Sequence, residues 1–310
     1  MPWVVGIDEA GYGPVLGPLV QAAVVVRLPA EDPSGWQTLQ SLIRRVAEPA
    51  DHRVLIDDSK QVYGRYGWSA LECGVARTLH WSKQPLLQWL MRQGVAGTVA
   101  ALKKEPWFQP QETYPEEDWP PLTEEPFPVW ARVRILTPAV FNWACDQLGN
   151  KAETLGQGWI ELVRSLFTVT ADQPSLSRAD GQDVLILSDK LGGRHYYAGL
   201  VAACFPHLWV TPLQEGAVES RYCLEEDERR IMVCFQPEAE SQSVAVALAS
   251  MLAKYVREIC MRQFNRYWQR LLPDLPCTSG YLPHARHWYT RIVPFLRQQG
   301  LRADDVWRRR

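Results

Sequence analysis

Runs of apolar residues, broken by turns and acids, divide this chain into elements. Val4 to Val20, VVGIDEAGYGPVLGPLV, starts with Val4, Val5 and Ile7, runs into the acid pair Asp8-Glu9, turns through Gly11-Tyr12-Gly13-Pro14 and becomes apolar again at Val15-Leu16. That pattern predicts a strand carrying two carboxylates to its own end. Successive strand side chains point to opposite faces, so Asp8 and Glu9 meet only if the chain bends beside them, which Gly11 and Gly13 permit. Gln21 to Arg27, QAAVVVR, predicts a second strand that closes a hairpin.

Further along, a helix is expected over Trp36 to Val46 and another, interrupted, over Ser69 to Trp89. Between them Leu55-Ile56 closes on Asp57-Asp58-Ser59-Lys60. Ala131 to Leu136 resumes as a strand, and Thr137-Pro138 opens a helix with an N-cap followed by proline. Ala152 to Leu166 predicts an amphipathic helix, and Val184 to Leu187 a short strand ending on Ser188-Asp189-Lys190-Leu191-Gly192-Gly193. Leu208 to Pro212 and Arg230 to Phe235 are further strands, followed by a strong helix, Ser241 to Met261. On it Val244, Leu248, Met251 or Leu252, and Tyr255 form a core stripe, while Ser243, Ala247, Ser250 and Lys254 form a small polar face open to close approach.

Lys103 to Trp130 fits neither period. Its prolines, and seven acids against two lysines, predict an inserted surface loop, partly mobile, with solvated acids. The net charge of −2 announces no polyanion partner, but from Lys254 to Arg310 twelve Lys/Arg face four Asp/Glu. Such a segment attracts phosphate if it lines a groove and is otherwise a solvated helix surface. Seven scattered cysteines without C-x-x-C spacing exclude a disulfide scaffold or zinc cage and read as buried thiols in a reducing compartment. No signal peptide or uncharged apolar run of spanning length is present, so a soluble cytoplasmic protein is expected, a monomer by default. The fourteen tryptophans are dispersed, as core packing requires.

Several residues admit two readings. Asp8-Glu9 reads as a site at a strand end or as a charged turn, and Asp189 repeats the arrangement. Asp58-Ser59 fits a helix cap, and Lys60 beside them a phosphate contact. Glu240, at the expected start of the long helix, is favoured there by the dipole with or without a metal. Gly11, Gly13 and Gly17 follow G-x-G-x-x-x-G into a strand, which excludes a dinucleotide fingerprint, and no Gly-Lys-Ser/Thr phosphate loop occurs.

The ordered set GIDEAGYGPVLGPLV, DDSK at 57–60, LILSDKLGG, SVAVALASMLAKYVRE and SGY at 279–281 resembles the type 2 ribonuclease H family, ribonucleases HII and HIII. FNWACDQLGNKAETLGQGW is similar to the asparagine-bearing helical segment of ribonuclease HIII, with Asn142 and Asn150-Lys151 in matching places. The resemblance implies an α/β ribonuclease H-like fold, a mixed central sheet flanked by helices. It implies a catalytic domain over 1–262, with the insertion at about 103–130, and a basic helical extension over 263–310 packed on it.

The implied activity is endonucleolytic cleavage of the RNA strand of RNA/DNA hybrids, or of duplexes containing ribonucleotides, leaving 3′-hydroxyl and 5′-phosphate ends. Asp8, Glu9, Asp189 and Glu240 would be catalytic and hold two Mg²⁺ or Mn²⁺ ions. Clustered hard oxygen ligands suit two-metal phosphodiester hydrolysis. Gly11, Tyr12, Gly13, Lys60, Ser250, Lys254 and Tyr281 would bind substrate, and His284 and His287 are candidate proton shuttles. The chain departs from the family where Gly-Arg-Gly or Gly-Lys-Gly reads Gly11-Tyr12-Gly13, where Lys-x-Asp reads Glu238-Ala239-Glu240, and after Tyr281. Two alternatives follow: a nucleic-acid binding protein of this fold that has lost catalysis, and a related nuclease acting on other nucleic-acid structures.

Overall fold

The computed structural model describes residues 2–48, 51–122, 130–170, 173–178 and 181–309. Strands β1 (Trp3–Ala10) and β2 (Leu19–Arg27) pair antiparallel from Trp3 opposite Arg27 to Ala10 opposite Val20, the hairpin that the apolar pattern predicts. Side chains alternate between two cores: Val4, Val20, Ala22, Val24 and Val26 enter one, while Val5, Ile7, Leu19, Ala23 and Val25 enter the other.

The segment expected to be a helix over Trp36 to Val46 is instead a run of turns. Gly35 stands at φ +77°, and the Asp32 carboxylate accepts hydrogen bonds from the N–H groups of Gly35 and Thr38 at 3.2 and 2.7 Å, drawing the chain around itself. The run then ends in β3 (Ile43–Arg44), which pairs with β4 (Val54–Leu55). Helix α1 (Ser59–Thr78) starts well before Ser69 and carries one non-helical residue, Gly67, at φ 78°. After it, β5 (Gln84–Pro85) leads into α2 (Leu86–Gln93) and α3 (Thr98–Leu102).

The insertion is not a solvated loop. Its β6 (Thr113–Tyr114) pairs with β5, and Trp107, Phe108, Tyr114 and Leu122 are buried in the first core. Three of its described acids are engaged: Glu105 is 9 % exposed and accepts from the Trp107 indole, while Glu112 and Glu116 pair with Arg266 and Arg262; Glu117 and Asp118 are exposed, as expected. Residues 123–129 of the expected loop lie outside the described residues.

β7 (Trp130–Leu136) adds to the far side of β2, and α4 (Pro138–Leu148) follows with Thr137 at its N-cap and Pro138 in its first turn. Asn150 caps α5 (Lys151–Phe167) by accepting the Glu153 N–H at 2.9 Å. Then come β8 (Val184–Asp189), α6 (Ala198–Cys204), β9 (Thr211–Gln214), β10 (Ser220–Glu226) and β11 (Arg229–Gln236). The sheet order is β7-β2-β1-β8-β11-β10-β9, with β1, β8 and β11 parallel and the other neighbours antiparallel. This is the mixed, helix-flanked α/β sheet that the resemblance implies.

The last helix of the sequence pattern is two. α7 (Ala239–Gln242) is one turn, and the chain breaks at Ser243, whose hydroxyl accepts the Ala245 N–H to cap α8 (Val244–Leu271). Glu240 therefore sits on its own short turn and not at the positive end of the long helix. α8 runs without a break across residue 262, and α9 (His284–Leu296) and Val306 close onto the same core through Trp288, Ile292 and Leu296. Among the described residues no helix is long and apolar enough to cross a membrane.

Candidate functional site

Three neighbouring parallel strands end together. Ile7 stands opposite Ser188, and Asp189 opposite Gln236, so Asp8 and Asp189 come from strands about 4.8 Å apart and Glu240 follows a few residues beyond the third strand. One end of the sheet thus collects carboxyls from distant stretches of the sequence. The strand stays regular through Glu9 opposite Gln21 and Ala10 opposite Val20, and the turn begins only at Gly11, at φ +90°. Asp8 and Glu9 therefore remain on opposite faces of β1.

Gly6 explains how Asp8 is seated. A Cβ there would stand 2.0 Å from the Ala245 carbonyl carbon, so α8 lies directly against β1 on the face that Asp8 shares. Just over one turn further on, Ser250, 4 % exposed, is hydrogen-bonded to the Asp8 carboxyl and, at 3.0 Å, to the hydroxyl of Ser59. The close backbone approach is made at Ala245 and Val246, outside the Ser243, Ala247, Ser250 and Lys254 face predicted to accept it, of which Ser250 reaches Asp8.

The four acids act on one another. Burial raises the pKa of Asp8 above the ordinary carboxylate range against the pull of Ser250, and the charges of Glu240 and Asp189 push the same way. For Glu9 burial again leads, followed by the charges of Asp8 and Asp189, with Lys60 opposing. Asp189 is raised by burial, opposed by the N–H groups of Lys190 and Glu238 and by Lys60. Glu240 is raised by burial, by Asp189 and by Asp58, with which it shares a hydrogen bond.

Asp58 is the N-cap that its position predicted, accepting the N–H groups of Lys60 and Gln61 at 2.7 and 2.9 Å. It also belongs to this cluster, which its capping role alone did not reveal. As donors, these groups are hard oxygens of the kind Mg²⁺ and Mn²⁺ take. Among the described residues, however, no three acid, histidine or cysteine side chains stand close enough to grip one ion as they are. As they stand, Asp8, Glu9, Asp189 and Glu240 do not form a closed ligand set for one ion.

The expected substrate residues divide. Tyr281, 49 % exposed, lies with its ring 3.3 Å from where a Cβ on Gly13 would be, and the Val15 N–H donates to the Gly280 carbonyl at 2.9 Å. The Gly11–Gly13 turn and the 279–281 segment thus converge. Tyr12 is half-buried, and its hydroxyl lies 3.9 Å from a Cβ position on Gly192, in the loop after Asp189. Lys60 is exposed and acts on Glu9 and Asp189. Lys254 is tied to Glu258 at 2.7 Å and lies over the Tyr63 ring. His284 and His287 are exposed on α9, with no ring contact to the four acids among the described residues.

Two buried arginines hold the turn from behind. Arg308, fully buried, donates to the carbonyls of Gly11, at 2.6 Å, and Pro14, and its own N–H donates to Val15 at 2.8 Å. Arg257 occupies the space beside Gly11 and donates to the Ser279 carbonyl at 2.9 Å. Burial lowers both, and with the charge of Arg257 beside it Arg308 is pushed down to about 9. Asn142 in turn pins the tail, donating to the Trp307 carbonyl at 2.8 Å and accepting the Arg309 N–H at 2.9 Å. In the sequence these arginines carried only charge, whereas Asn142 had been matched by resemblance without a role.

No protein-family model matches the chain, and no curated protein matches it. Solved structures similar to it include ribonuclease H2 from Pyrococcus horikoshii OT3, at 16% identity and TM-score 0.49 over 98% of this chain and 92% of that one. Bst-RNase HIII in complex with Mn²⁺ gives 16% and 0.47 over 99% and 66%. The ribonuclease HII of a PCNA complex from Archaeoglobus fulgidus gives 14% and 0.45 over 99% and 94%. All three are ribonuclease H2, HII or HIII structures. These are likenesses only, and the placement of the carboxyls comes from the chain's own structure.

Proposed function

We propose that this chain is a divalent-cation-dependent endonuclease of the type 2 ribonuclease H kind, which cuts the RNA strand of an RNA/DNA hybrid and leaves 3′-hydroxyl and 5′-phosphate ends. The observation that carries this reading is the common end of β1, β8 and β11, where Asp8, Glu9, Asp189 and Glu240 come within electrostatic reach of one another. These four would hold Mg²⁺ or Mn²⁺, two ions per site. Bound there, the ions supply activation of water and neutralisation of the leaving oxygen.

The chain's own residues supply placement. Ser250 fixes Asp8, and Lys60 draws the strand's phosphates toward Glu9 and Asp189. The backbone of Gly11 to Gly13, with Tyr281 beside it, approaches the ribose, whose 2′-hydroxyl distinguishes RNA from DNA. Lys254, held by Glu258, orders the edge of the groove. Residues 1–262 would carry the centre, and 263–310, which begin inside α8, would complete the molecule against it through Trp288, Ile292 and Val306.

The open spacing of the acids favours one second reading, a hybrid-binding protein of the same fold without turnover. Incubating labelled RNA/DNA hybrid, duplex DNA and duplex RNA with the protein at one salt concentration, with Mg²⁺ or Mn²⁺, separates the readings. The leading reading predicts cleavage of the hybrid's RNA strand alone, with phosphatase-sensitive 5′ ends. Binding without turnover under either ion selects the second reading, and cleavage of duplex DNA selects a nuclease of different substrate.

A further inference from the structure

The Lys151 ammonium lies 3.9 Å from the centroid of the Tyr12 ring, in the middle of the glycine turn that follows Asp8-Glu9. Tyr12 reaches across to the loop after Asp189, and its hydroxyl feels the charge of Glu9. Lys151 is thus a cation held on an aromatic platform at the rim of the carboxyl centre. The ring steadies the ammonium but supplies no counter-charge.

The nearby acids are already engaged. Glu153, two residues along α5, takes Arg194 at 2.5 Å, and Asp146 at the end of α4 takes Arg309 at 2.6 Å. No carboxylate stands within ion-pair distance of Lys151 among the described residues, whereas Lys254 is neutralised by Glu258. Arg308 lies near enough to repel Lys151. Lys151 is also the first residue of the seventeen-residue helix α5, whose amino end favours an anion in the same place.

We propose that Lys151, propped on Tyr12, contacts a backbone phosphate of the nucleic acid bound beside the carboxyl centre. The inference rests on the reading of that centre as the place where a nucleic-acid strand lies. A phosphodiester satisfies the unpaired ammonium and keeps the strand in line with the Gly11–Gly13 turn. The contact is with the backbone and therefore blind to sequence.

Binding of a fluorescent RNA/DNA hybrid to the full chain, followed by anisotropy in EDTA over a potassium chloride series, tests it. Lys151→Gln should weaken binding roughly five- to tenfold at low salt and reduce the slope of log affinity against log salt by about one. Lys151→Arg should restore both. Arg230→Gln, an exposed cation at the opposite end of the sheet, should change neither. An unchanged slope in Lys151→Gln, with or without weaker binding, overturns the inference, as does wild-type binding that ignores salt. Hybrid cleavage is scored separately on the wild type: cleavage with no effect of Lys151 sinks this inference alone. The slope effect without cleavage sinks the nuclease reading alone.

Discussion

At the scale of single residues, the site depends on groups whose chemistry is visible in the sequence and whose partners are not. Asp8-Glu9 announce themselves, but Arg308 reaches Gly11 across 297 residues, and no local pattern marks it as anything but one arginine in a basic tail. Gly6 is equally silent in sequence, yet it sets the distance between β1 and α8. Gly6→Ala should cost about 3 kcal/mol or more in urea denaturation, because two backbones must separate. Gly199→Ala, with nothing within 4 Å of the new Cβ, should be close to neutral. A Gly6→Ala protein within measurement error of wild type would contradict the close seating of Asp8 beside Ser250.

Glu105 is the residue whose burial the sequence concealed most. Burial pushes its carboxyl up to about 7, against hydrogen bonds from Thr137 and Trp107, and Asp305 raises it further. The folded chain therefore keeps a proton that the unfolded chain loses near 4.5. The stability tied to it is present in full below that pH and lost as pH rises toward 7, by roughly 3 kcal/mol in all. Glu105→Gln should flatten this fall when denaturation is compared at pH 5 and 7.5, and an equally steep fall in the variant would remove Glu105 as its source.

At the scale of elements, legibility followed how local the controlling interactions are. The β1–β2 hairpin, the Thr137-Pro138 helix start and the Asp58 cap are set by neighbours in sequence and stand where the pattern put them. Trp36 to Val46 failed because the Asp32 carboxylate captures N–H groups that a helix start would leave open, and β4 then pairs with its end. The break at Ser243 was invisible because apolar spacing continues through it, and the serine cap that starts α8 looks like any polar residue on a helix. That break matters to function, since it detaches Glu240 from the long helix and leaves it facing Asp189 and Asp58.

At the scale of the whole molecule, strand order assembles the site. Placing β1, β8 and β11 side by side and parallel brings acids from the start, middle and late parts of the chain to one sheet end. The insertion, expected to be a surface loop with solvated acids, takes up Arg262 and Arg266 through Glu116 and Glu112, so the basic surface of α8 is partly neutralised from within the chain. Accessible positive charge near the centre then comes from Lys60 and Lys151, while Arg257 and Arg308 of the tail stand buried behind the turn.

The central claim is that the acids at this sheet end work as one cation-dependent centre for cutting RNA. The measurement that reaches it directly is the rate of RNA-strand cleavage in an RNA/DNA hybrid, with Mg²⁺ or Mn²⁺ and with EDTA, for the wild type and for Asp8→Asn and Asp189→Asn. Cleavage that needs the ion and falls at least about a hundredfold in each variant is the predicted result. Cleavage that survives EDTA, or that proceeds equally well in both variants, would contradict it.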